Sequence, residues 1–239
     1  MSAENHETNR LIEGTKQNIA TSGCIGGEVT ITANAPFLTE RLELFEKFYE
    51  EYKKSIEAKP HPEITITLPD GTVKPGKAWE TTPYMIAEGI SKGLAQHALV
   101  ARVIYEDASL GCASCNTEEH ESDEEEEEGL LWDMHRVLEG NCKLWILKFD
   151  DKGGKATFWH SSAHVLGEAM ENLYGVDLCI GPALKDGFYY DAYFGKMSVT
   201  EGDCTKIDAE ANRLIKSKQV FERCELTKEQ ALQLFSHNP

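Results

Sequence analysis

Between residues 37 and 59 apolar side chains return at three- and four-residue steps. Leu38, Leu42, Phe45, Phe48, Tyr49, Tyr52 and Ile56 stand among glutamates and lysines. That spacing predicts an amphipathic helix over 37–59, ended by Pro60-His61-Pro62. Its stripe needs a cover, supplied either by this chain's own body or by a protein partner docked on the helix. The stretch before it, residues 1–36, is polar, rich in Asn, Thr, Ser and Gly, and without useful periodicity, so disorder is expected there.

The period then changes from helical to alternating. Ile64-Thr65-Ile66-Thr67-Leu68 reads as a strand, Pro69-Asp70-Gly71-Thr72 as a turn, and Val73 as the start of the return strand of a hairpin. A helix follows, with Thr82 as N-cap, Pro83 at its first position and Ile86, Ile90 and Leu94 on its inner face. Residues 98–105 and 143–149 read as further strands. Residues 63–150 are thus expected to form one compact unit, interrupted at 106–129 by an insertion whose charge self-repulsion keeps it a solvated loop.

From residue 155 to 239 the pattern suggests a second unit. A helix is predicted over Thr157 to Tyr174, then strand, Gly/Pro/Asp turn and strand between Leu178 and Tyr193. A helical segment at 209–218, a short strand at 221–226 and a helix at 228–235 complete it, and the chain stops at Asn238-Pro239 without a domain-like finish.

Composition narrows the class. The 239 residues are 41% hydrophobic, enough for two small cores. The net charge is −17, but nine acidic residues with no compensating base fall between Glu118 and Glu128, and without them the balance is −8. Contact with RNA would therefore need a local basic patch rather than a global field. No run reaches a membrane span and no basic-then-apolar leader opens the chain, so a soluble cytoplasmic protein is expected. Seven scattered cysteines fit free thiols. Cys112-Ala113-Ser114-Cys115 with His120 is a lone CxxC, for which metal binding is the less favoured reading.

The chemistry concentrates in the third helix. His160 and His164 are four residues apart, so they project from one face with Cβ atoms roughly 5–6 Å apart. Such a pair suits a zinc half-site, a substrate clamp, or one proton donor beside one acceptor. A zinc site needs about three protein ligands, so either histidine as a metal ligand depends on groups from elsewhere.

The strings around these residues resemble the front of a eukaryotic cytoplasmic threonyl-tRNA synthetase from about Ile64 to Pro239. Residues 66–72, Trp79 with Thr81 to Tyr84, 86–91 and Leu131-Trp132-Asp133 resemble that family's TGS domain, a ubiquitin-like β-grasp fold. Trp159 to Met170 and Gly181-Pro182 through Asp191 resemble the start of its editing domain. The resemblance implies an α+β chain comprising a TGS domain and an incomplete editing domain. It also implies hydrolysis of serine mistakenly attached to threonine tRNA, with His160 and His164 as the editing half-site and Tyr189 and Asp191 as weaker pocket candidates.

One departure matters. The family's pocket joins the HxxxH helix to a later Cys-x-x-x-His, and Cys179, Cys204 and Cys224 are followed four residues on by Ala183, Asp208 and Lys228. The class II synthetic core and anticodon-binding domain are missing too, so ATP and zinc are implied only for that core. The resemblance therefore implies the amino-terminal part of a threonine-tRNA ligase, with threonine tRNA as the partner of the whole protein. The alternative is a noncatalytic TGS-containing protein that binds tRNA or a synthetase. No Gly-x-x-x-x-Gly-Lys-Ser/Thr loop is present, which argues against a GTPase.

Overall fold

Alternating inward residues on three strands build the first core. The computed structural model describes residues 31–111 and 129–238. β1 (Glu63–Thr67) and β2 (Val73–Lys77) form the expected hairpin. β3 (Val100–Tyr105), β4 (Leu130–Trp132) and β5 (Cys142–Leu147) complete a sheet of order β2-β1-β5-β3-β4, with only β1 and β5 parallel. Parallel neighbours need a crossover, and α2 (Pro83–Ile90) with α3 (Lys92–His97) lies within it. Ile66, Val103, Leu144 and Trp132 point from the sheet into a core shared with Ile86 and Ala87. This is the β-grasp arrangement.

Local caps explain the helix boundaries. Thr82 accepts from the Met85 N–H and Pro83 sits at the first position. Ser91 ends α2 and caps α3 through the Leu94 N–H, a second helix where one was expected. The tip of the 106–129 insertion, including Cys112, Cys115, His120 and the acidic tract, lies outside the described residues, as does Cys24.

The second unit is organised by α4 (Lys152–Tyr174), which starts five residues before the apolar pattern predicts. Gly153 and Gly154 look like breakers in sequence but serve close packing. A Cβ on Gly154 would stand 1.9 Å from the Lys148 carbonyl oxygen. After α4 come two nested two-residue ladders rather than one hairpin. β6 (Asp177–Leu178) pairs with β9 (Ala192–Tyr193), and β7 (Ala183–Leu184) with β8 (Gly187–Phe188). α5 (Glu201–Ser217) packs along α4 through Met170, Tyr174, Ile207 and Leu214. It begins eight residues before the expected 209 because Thr200 and Asp203 form a reciprocal capping box. α6 (Lys228–Leu234) ends the described chain.

Two expectations fail outright. Residues 221–226 form no strand; instead the Arg223 and Glu225 side chains reach across to neighbouring elements. Residues 31–36, expected to be disordered, carry defined contacts: the Thr32 and Asn34 N–H groups donate to the Tyr174 and Asn172 carbonyls at 3.0 and 2.8 Å. They thereby satisfy carbonyls that a helix C-terminus leaves without intrahelical partners.

The amphipathic helix is α1 (Pro36–Glu57), and this chain's own body covers part of its stripe. Phe48 is buried, Arg41 pairs with Glu171, and Phe37 stacks on His237 with ring centroids 4.3 Å apart. Intramolecular cover of the stripe is thus observed at Phe48, while Leu42 stays exposed.

A paired-histidine site on helix α4

His160 and His164 occupy one face of α4, as their spacing requires. Their Nε2 atoms are 2.9 Å apart and their ring centroids 4.7 Å apart. A hydrogen bond at that distance has one Nε2 donating and the other accepting. His164 is exposed and His160 half-buried. Two nearby hydroxyls donate within the helix, Ser162 to the Phe158 carbonyl and Thr157 to that of Gly153.

An aromatic wall flanks the pair. Trp159 packs among Phe149, Phe158 and Phe188, and its buried indole N–H has no hydrogen-bond partner among the described residues. Lys155 pairs with Asp186, clipping the β7–β8 turn to α4 and holding the Asp186 carboxyl below its usual range.

Tyr190 is the aromatic residue placed beside the histidines, its ring 6.2 Å from that of His164. It fits there because two glycines face it. A Cβ on Gly167 would lie 2.9 Å from the tyrosine ring, and one on Gly181 2.3 Å. Burial pushes the Tyr190 hydroxyl's pKa up, keeping it a neutral donor. Tyr189, one position along, is exposed, and so is Asp191, whose backbone closes the ladder with Cys179 and Ile180. The strand alternation that separates Tyr189 from Tyr190 was readable in sequence. The glycine sockets that select Tyr190 were not.

A cleft of about 320 Å³ opens at His164, floored by Val165 and Leu214 and edged by Glu168, Lys218, Val220 and Phe221. These groups come from α4, α5 and the segment after it, so no single motif announces them. Among the described residues no group of three or more His, Cys, Asp or Glu is placed to hold a metal. Two imidazoles bonded to each other do not by themselves fit zinc.

Known proteins match this chain in two ways. The TGS domain family matches residues 64–148. Over 202 residues the chain is 45% identical to a cytoplasmic threonine-tRNA ligase of Caenorhabditis elegans, covering 84% of this chain and 25% of the relative. It is 42% identical over 219 residues to a mitochondrial threonine-tRNA ligase of Arabidopsis thaliana, covering 87% and 28%. The human cytoplasmic threonine-tRNA ligase 1 is 37% identical over 216 residues, covering 89% and 27%. The chain thus spans about a quarter of the length of these relatives.

Proposed function

From the homology of this chain to the amino-terminal quarter of eukaryotic threonine-tRNA ligases, we propose that it supplies the TGS domain and the leading part of the editing domain of such a ligase. Residues 63–150 are the TGS unit and 155–239 the leading part of the editing unit. The whole protein attaches threonine to its tRNA in the cytoplasm and hydrolyses serine placed there by error. Serine lacks one methyl of threonine, worth only about 1–3 kcal/mol in a pocket, so a second hydrolytic sieve is needed for accuracy. ATP and zinc belong, on this reading, to the synthetic core beyond the matched quarter.

The observation that carries the reading is the mutually bonded imidazole pair on α4, with His164 exposed beside a half-buried His160. Once a substrate group takes the place of the contact between them, the two Nε2 atoms offer a proton donor and an acceptor side by side, the requirement for orienting a ribose hydroxyl or a water against an aminoacyl ester. Tyr190 adds a neutral hydroxyl at the rim, and the cleft at His164 gives the terminal nucleotide a place to enter. Tyr189 and Asp191 stay outer pocket candidates.

The test uses the complete protein with serine-charged threonine tRNA. His160→Ala and His164→Ala should each lower serine release by about 10²–10⁴-fold while leaving threonylation intact. Unchanged serine release in both variants refutes the assignment. Loss of threonylation as well would point instead to damaged folding.

A further inference from the structure

We infer that α1 is a strut that fixes the β-grasp unit against the histidine helix. α4 leaves the sheet at Lys148–Asp151, where Gly154 packs on the Lys148 carbonyl. Its far end carries Glu171, Asn172 and Tyr174, which are held by Arg41 near the start of α1 and by Asn34 and Thr32 just before it. α1 then returns: just beyond its last turn the Lys59 ammonium lies 3.3 Å from the centre of the Trp79 ring, on the β-grasp unit. α1 has 22 residues and α4 has 23, so each spans about 33–35 Å. Two rods of matched length, joined at one end to the sheet and at the other to each other, close a frame. A single helix behind a four-residue turn would leave a hinge.

A second tie to the β-grasp unit lies five residues before the end of α1. Arg223 donates to the Tyr52 hydroxyl of α1 at 3.0 Å and to Glu225 at 2.7 Å, and Glu225 lies 3.9 Å from Arg136 of the β-grasp unit. Arg136 is stacked on Trp132 and bonded to Glu139, so this anchor is itself rigid. The same extended segment carries Val220 and Phe221 to the histidine cleft. The frame therefore sets both the orientation of the β-grasp unit and the position of the cleft's edge. This inference rests on contacts alone and survives failure of the editing assignment.

Variants of the full chain test it from opposite ends: Arg41→Glu with its charge-swapped rescue, and Tyr52→Phe with Lys59→Ala, which lies away from the second core. Small-angle scattering, thermal unfolding and amide exchange over residues 148–152 are the readouts. A strut predicts that the Tyr52→Phe/Lys59→Ala variant raises the radius of gyration, splits one unfolding transition into two and speeds exchange at 148–152 severalfold. Arg41→Glu should do the same, and Arg41→Glu/Glu171→Arg should reverse it. Should Arg41→Glu merely unfold the second unit, the Tyr52→Phe/Lys59→Ala variant decides. Wild-type scattering, melting and exchange in that variant overturn the proposal.

Discussion

Arg41 and Glu171, 130 residues apart, form a two-pronged ion pair in which Nη1 donates to Oε1 at 2.8 Å and Nη2 to Oε2. Glu171 is only 5% exposed, so its carboxylate depends on this partner for the solvation that water no longer provides. Arg41→Ala should cost about 2–4 kcal/mol, because an uncompensated buried charge remains. Glu171→Gln should cost less, since an amide buries more cheaply than a carboxylate. Urea denaturation of both variants gives the comparison, and equal losses would contradict it.

Glycines separate into those that are packed and those that are free. Gly154→Ala would drive a methyl into the Lys148 backbone and should destabilise by about 3 kcal/mol or more. Gly89, inside α2, faces open space, so Gly89→Ala should stabilise by about 0.5–1 kcal/mol. Thermal melts with opposite signs are the expected result.

Stability should change at both ends of the pH scale through one contact. Tyr174 donates to Asp203 at 2.9 Å, and Asp203 also accepts from Thr200 and Lys206. The hydrogen bonds from Thr200, Lys206 and Tyr174 hold the Asp203 carboxyl well below its usual range. A depressed carboxyl contributes stability above its unfolded pKa of about 4 and loses it as pH falls below that value. The melting-temperature gap between wild type and Asp203→Asn should therefore shrink from pH 7 to pH 3.

The tyrosine side has the opposite sign. Burial first, then the bond to Asp203, pushes the Tyr174 hydroxyl up to about 12. Its contribution is complete below the unfolded value near 10 and is lost as pH rises from about 10 to 12. Tyr174→Phe should be less stable at neutral pH and should lack this part of the alkaline loss. Melts between pH 8 and pH 12 check it.

Thiol reactivity should follow burial. Cys142 lies in the first core, and burial, reinforced by Glu106, pushes its thiol up to about 12. Cys179 and Cys204 are exposed. Peptide mapping after brief alkylation of the native protein should find Cys179 and Cys204 modified and Cys142 protected. Early modification of Cys142 would mean that the β-grasp core opens readily.

The sequence by itself determined the elements whose signals are local: the hairpin at 63–77, the Thr82-Pro83 helix start, the amphipathic stripe of α1, and the face shared by His160 and His164. Periodicity, caps and turns act over a few residues, so the chain states them directly. The capping box at Thr200 was equally local and would have placed the start of α5. Only the tertiary structure decided that Gly153 and Gly154 begin a helix, because their value lies in clearance beside residues of the sheet. It likewise decided that 221–226 is not a strand, since strands need partners and its charged side chains find theirs on α1 and the β-grasp unit. The choice of Tyr190 over Tyr189 beside the histidines belongs with these. It was made by shape, in sockets left by Gly167 and Gly181, and the fit of side chains distant in sequence leaves no period to read.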